Sequence, residues 1–264
     1  AALIRRIDEA RAAGIDVTMA QYPYTAGSTF LHVVIPPWYH SRGVDGLLRA
    51  LREERGAIKH DLDTRMDWEN FSQSVGWEKI FVSSVVSEAN QPCVGKSISQ
   101  IAAERGHADP ADAAFDLLVE EQLAVGMISF GLDEADITAI MRHPAVSFIT
   151  DGLMSGRPHP RAYATYPRIL GRYVREQGVL SLEEAVRKMT SLPARKIRLR
   201  NKGVIAEGYD ADLVVFDPDT VIDKNSYDDP RVHPAGIAHV LVNGVFVVED
   251  AALTGARPGR VIRD

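Results

Sequence analysis

Asp151 and Arg161 are the side chains whose types and spacing point most directly to chemistry. Asp151 closes the run Ser147-Phe148-Ile149-Thr150-Asp151-Gly152, and Arg161 follows ten positions later. A short apolar run that delivers a carboxylate just before a glycine reads as a buried strand ending at Asp151. An acid there can hold a metal ion, move a proton, or do both. It can equally cap the turn that follows, and sequence alone leaves these readings open. Arg161 stands at the start of the next helical pattern, where the helix dipole disfavours a cation. One reading is a solvated surface charge. The other is a guanidinium fork serving an anion, such as a substrate carboxylate.

Other candidates surround this pair. Tyr22-Pro23-Tyr24-Thr25-Ala26-Gly27-Ser28-Thr29 reads either as a turn packed by aromatics or as a binding loop whose Tyr22 and Ser28 hydroxyls donate to a carbonyl or carboxylate. None of the eight histidines forms His-x-His or His-Glu-x-x-His, so there is no local zinc signature. His159 stands out from the rest because it shares a loop with Arg161. Val94-Gly95-Lys96-Ser97 resembles the tail of a phosphate-binding loop, but the pattern needs glycine where Asn90 stands, and a helix-leading turn is the better reading. Cys93, the single cysteine, allows no internal disulfide. It reads as a buried small hydrophobe.

The elements that must position these residues follow from periodicity. Leu3, Ile7 and Ala10 mark a helix ended by Gly14, and Val17–Tyr22 is a strand stopped by Pro23. From about Thr29 to Ser129 the pattern is irregular. Within it, Asp109-Pro110 makes an N-cap with proline at the first helical position, opening a helix that ends near Gly126. A short helix over 133–142 is stopped by His143-Pro144, and the strand that carries Asp151 follows. Helices are expected over 162–177 and, behind the capping box at Ser181, through Met189. After about Arg200 the character changes to strands: Leu213–Phe216, then 239–242 and 245–248 around an Asn243-Gly244 hairpin turn.

Composition excludes several classes. With 45% hydrophobic and 25% charged residues, the chain has the make-up of an ordinary globular protein. A net charge of −6 without a basic cluster argues against nucleic acid as a partner. The longest stretch free of charged side chains, Val17 to Ser41, holds Pro23, Pro36 and Pro37, and so reads as strand and loop rather than as a membrane span. A cytoplasmic location is the expectation. An opening helix that runs straight into a strand also suggests a fragment.

Taken together, Ala20–Thr29, Val94–Ile98, Thr150–Leu153, His159-Pro160-Arg161, Met189–Ala194, Gly203-Val204-Ile205, Ala211–Pro218, Val242-Asn243-Gly244 and Thr254–Gly259 resemble the N-acyl-D-amino-acid deacylases of the amidohydrolase superfamily. The resemblance implies an α/β fold: the C-terminal part of a metal-dependent (β/α)8 barrel with an insertion, plus a small β-sandwich segment. Residues 1–200 would be barrel, with the insertion at roughly 30–128, and 201–264 the small β domain. It further implies Zn2+ as cofactor, an N-acyl-D-amino acid as small-molecule substrate, and hydrolysis of its amide bond. By the same resemblance Asp151 is the proton shuttle and a metal contact, Arg161 grips the substrate carboxylate, and Tyr22 and Ser28 face the substrate. The family's remaining metal ligands would precede residue 1.

Two further readings differ in chemistry. A related amidohydrolase would act on a cyclic amide or a D-peptide-like substrate. A non-catalytic α/β fragment would bind a ligand or a partner chain.

Overall fold

The computed structural model describes residues 2–262 and shows an α/β protein. Among these residues run nine strands: β1 (Met19–Gln21), β2 (Gly27–Phe30), β3 (Ile80–Ser84), β4 (Gly126–Ser129), β5 (Val146–Phe148), β6 (Leu213–Phe216), β7 (Ile237–Val242), β8 (Val245–Glu249) and β9 (Ala252–Leu253). Among them, no helix is long and apolar enough to cross a membrane. The chain folds as two compact units.

The first unit comprises the described parts of Ala1–Pro23, Ala135–Asp151 and Pro160–Asp264. Its opening helix, Ala2–Ala12, is followed by Gly14 at φ +82°, a left-handed conformation that costs glycine little. β1 then pairs in parallel with β5. All three β5 residues are buried, as a strand covered on both faces requires. Phe148, Met141, Ile169, Tyr173, Ala185 and Val221 share one core cluster. The expected strand end is corrected here: β5 stops at Phe148, three residues short of Asp151, whose φ of +48° is incompatible with an extended backbone. The 162–177 helix is real but composite. Arg161–Arg168 is α-helical, with a break at Ala164, and Ile169–Glu176 continues as a π-helix.

The C-terminal part of this unit carries the antiparallel sheet β6-β7-β8-β9. Asn243 and Gly244, at φ +49° and +77°, join β7 to β8, the two positive values that a type I′ turn demands.

The second unit comprises Tyr24–Glu134 and Gly152–His159. Inside the stretch that reads as irregular lies the sheet β2-β4-β3, antiparallel throughout. Leu31, Ile58, Ile80, Phe115, Leu118 and Met127 belong to the core beside it. Asp109 caps the helix Pro110–Glu120 by accepting from the Ala111 amide. That helix ends at Glu120 rather than near Gly126. Gln122 and Leu123 turn left-handed, at φ +50° and +69°, and Gly126 opens β4. Ser97 and Gln100 form a reciprocal capping box for Ile98–Arg105, so the Val94–Ser97 segment is a helix lead. Gly156 brings the 152–159 segment against β3. A Cβ there would stand 2.3 Å from that of Ser84, so no larger residue fits.

Candidate active site

Two neighbouring parallel strands end together in the first unit. β1 and β5 are in register from Met19↔Val146 to Gln21↔Phe148, and the Ile149 amide still donates to the Gln21 carbonyl at 3.0 Å. Tyr22 and the segment leading to Asp151 therefore leave the sheet side by side, at its C-terminal edge. In parallel α/β architectures this is the edge where ligands bind. The left-handed Asp151 adds local strain of order 1–3 kcal/mol, a feature that clusters at functional sites.

Arg161 comes to the same place from the N-terminal end of its helix. Its Nη2 lies 2.8 Å from Asp151 Oδ2, and its guanidinium carbon lies 4.3 Å above the centre of the Tyr22 ring. The two partners differ sharply in exposure: the Arg161 side chain is 1% exposed, that of Asp151 59%. The reading of Arg161 as a solvated surface charge is thereby overturned. Burying a guanidinium is costly unless it is paired and hydrogen-bonded, so something anionic must repay it. Because the guanidinium is buried, removing the Asp151 charge should cost more than breaking an ordinary surface ion pair.

Neighbouring bonds hold this arrangement. Arg168 Nε donates to the Pro23 carbonyl at 2.9 Å, and its Nη1 meets Asp223 Oδ2 at 2.8 Å. Asn225 Nδ2 donates to the carbonyls of Pro160 and Pro230 at 2.9 and 3.0 Å. The end of β1 and the start of the Arg161 helix are thus tied to the chain around residues 223–230.

Of the residues singled out from sequence, the structure brings Tyr22, Asp151 and Arg161 together. Ser28 belongs to the other unit, on β2 opposite Ile128. His159 is a packed core residue of that unit: it is fully buried, its Nε2 lies 2.9 Å from the Ala26 carbonyl, and its ring makes an edge contact with Tyr24 at 5.0 Å. Cys93 is buried, as its residue type suggests.

Sequence reasoning passed over Lys188. It is fully buried, bonds the His143 carbonyl, and lies 3.6 Å from the Glu184 carboxylate and 6.0 Å from the centre of the Phe148 ring. Burial pushes its pKa down, against the Glu184 charge. The signal was present: Ala185 and Lys188 are three apart on one helix face, so the lysine occupies a core position.

Chemically, Arg161 can take a carboxylate and Asp151 can carry a proton or offer one oxygen to a metal. Among the described residues, no group of three or more His, Cys, Asp or Glu side chains could hold a metal ion. The donor set on these residues therefore does not by itself fit a zinc centre, which needs three or four protein ligands.

Known proteins resemble this chain in sequence and in fold. The sequence pattern of the amidohydrolase family matches residues 91–248. The chain is 39% identical over its whole length to an N-acyl-D-glutamate deacylase of Alcaligenes xylosoxydans xylosoxydans, covering 44% of that protein. It is 36% identical over 96% of its length to a D-aminoacylase of the same organism, covering 43% of it. The crystal structure of N-acyl-D-glutamate deacylase from Bordetella bronchiseptica, complexed with zinc and a phosphonate that mimics the tetrahedral intermediate, superposes with a TM-score of 0.75 at 34% identity, over 100% of this chain and 46% of that one. The chain thus spans less than half the length of these relatives. It belongs to the amidohydrolase family.

Proposed function

We propose that the protein hydrolyses the amide bond of N-acyl-D-amino acids, releasing a carboxylate and a free D-amino acid. The observation that carries this reading is the buried Arg161 paired with an exposed Asp151 at the shared end of β1 and β5. The activities named for the Alcaligenes relatives support it. Arg161 binds the substrate α-carboxylate, and the face of Tyr22 holds the guanidinium plane. Asp151 accepts a proton at Oδ from the attacking water and passes it to the departing nitrogen, so that water and amide are consumed and acid and amine appear.

The cofactor in this reading is zinc, as in the Bordetella structure. Asp151 offers it one oxygen, and the described residues do not complete a ligand set. What this chain's own side chains contribute is the grip on the carboxylate and the movement of the proton. In architecture, residues 1–200 form part of a (β/α)8 barrel with an insertion near 30–128, and 201–264 form a small β-sandwich domain. The parallel β1–β5 pair supports the barrel part, and the separate second unit supports the insertion.

The test is release of free D-glutamate from N-acetyl-D-glutamate by the zinc-loaded protein, with the L-enantiomer as control. Preferential hydrolysis of the D-form is expected. No release from any N-acyl-D-amino acid, in protein that is folded and metal-loaded, would overturn the proposal.

A further inference from the structure

We infer that Asn225 is a positioning residue for substrate selection: its amide holds the turn that presents Arg161, and so sets how well a free acid is told from its ester. The inference rests on the role proposed above for Arg161 and names what keeps that side chain in place. Pro160, the residue before Arg161, caps its helix without a side-chain hydrogen bond. Ala164, at φ −139°, then breaks the helix, so the turn carrying Arg161 does not take its direction from the residues behind it. Across the break, the Thr165 hydroxyl donates to the Arg161 carbonyl at 2.8 Å. From outside the helix the turn is held by Asn225, whose Nδ2 donates to the Pro160 carbonyl at 2.9 Å and to the Pro230 carbonyl at 3.0 Å. Bridging two carbonyls takes two hydrogens on one nitrogen. Aspartate has no donor and serine has one, so neither can do it.

The same strap, residues 223–230, reaches the aromatic partner of Arg161. Asp223 Oδ2 meets Arg168 Nη1 at 2.8 Å, and Arg168 Nε donates to the Pro23 carbonyl at 2.9 Å, next to Tyr22. The guanidinium and the ring stacked on it at 4.3 Å are thus held from one segment. Fork-to-fork binding of a carboxylate depends on the plane and direction of the guanidinium, and small misplacements of a binding group are costly. Loosening Asn225 therefore weakens substrates with a free α-carboxylate and spares those without one. A role confined to the fold would lower stability and leave that ratio as it was.

Steady-state kinetics of the zinc-loaded protein on N-acetyl-D-glutamate and its α-methyl ester test this in wild type, Asn225→Ala, Asn225→Gln, Ser226→Ala and Arg161→Ala. Asn225→Ala is expected to raise KM for the acid about fivefold, the scale of one hydrogen bond, with KM for the ester unchanged. Asn225→Gln keeps the donors on a longer stem and should fall between wild type and Asn225→Ala. Ser226→Ala removes a hydroxyl that accepts from the Asp228 and Asp229 amides inside the strap, but leaves Pro160 held, and should keep the wild-type ratio. A wild-type ratio in folded Asn225→Ala, alongside its collapse in Arg161→Ala, shows that Asn225 serves the fold alone and overturns the inference while the role of Arg161 stands. If Asn225→Ala does not fold, a wild-type ratio in Asn225→Gln overturns it instead. If wild type shows no preference, or Arg161→Ala keeps it, the role of Arg161 fails and the inference with it.

Discussion

Two carboxylates in this molecule are held in opposite ways, one in each unit. Glu121, 4% exposed, accepts from the Val86 amide at 2.6 Å, the Ser87 amide at 3.0 Å, the Asn90 side chain at 2.7 Å and the Ser87 hydroxyl. These donors outweigh the opposing effect of burial and hold its pKa down at about 2. Both oxygens are engaged within the fold, and nothing is left to offer a ligand. Asp151 keeps one cation as partner and stays largely in water, while that cation is buried. A saturated buried acid serves the fold, whereas an acid that is 59% exposed still faces solvent, where a ligand can meet it.

Substitutions should separate the two acids. The largest effect is expected for Asp151→Asn: kcat for N-acetyl-D-glutamate falls about 10³-fold, within the range for losing a proton-transfer group, in protein that still folds. Glu121→Ala should do the reverse. It leaves several buried donors without an acceptor and costs about 3 kcal/mol by denaturant titration, with KM and kcat unchanged in the folded fraction. Loss of activity without loss of stability in that variant would erase the distinction.

The pH dependence follows from the Glu121 pKa. Its folded value of about 2 lies below the ordinary 4.5, so its stabilisation is complete above about pH 4.5 and is lost as pH falls from there through about 2. Acid titration of wild type should show about 3 kcal/mol lost across that window, and Glu121→Gln should lose correspondingly less. A smaller change is expected at Tyr22. Tyr22→Leu removes the aromatic face from Arg161 and should raise KM two- to fivefold, the scale of a cation–π contact of roughly 0.5–1 kcal/mol, whereas Tyr22→Phe keeps most of it. Equal effects in the two variants would assign the role to the hydroxyl instead.

How much of this was legible in the sequence depends on range. The Asn243-Gly244 turn, the Asp109-Pro110 helix start and the Gly14 stop are dictated by local backbone chemistry, and all three appear as read. The sheet β2-β4-β3 was not legible. Its strands are four or five residues long and pair across dozens of intervening positions, so no local period marks them. The same holds for the 152–159 segment, which joins the second unit through contacts with β3 and with Tyr24 and Ala26. At the site, residue types pointed to Asp151, Arg161 and Tyr22, but burial set the outcome. His159, equally suggestive in sequence, became core, and Lys188, three positions after Ala185 on the same helix face, is buried with it.

The central claim is that Arg161 serves a substrate carboxylate rather than the fold. The most direct measurement compares kcat/KM for N-acetyl-D-glutamate with that for its α-methyl ester, in wild type and in Arg161→Ala. The account predicts a strong wild-type preference for the free acid, on the order of tenfold or more, that collapses toward unity in the variant. A preference that survives in folded Arg161→Ala would contradict it.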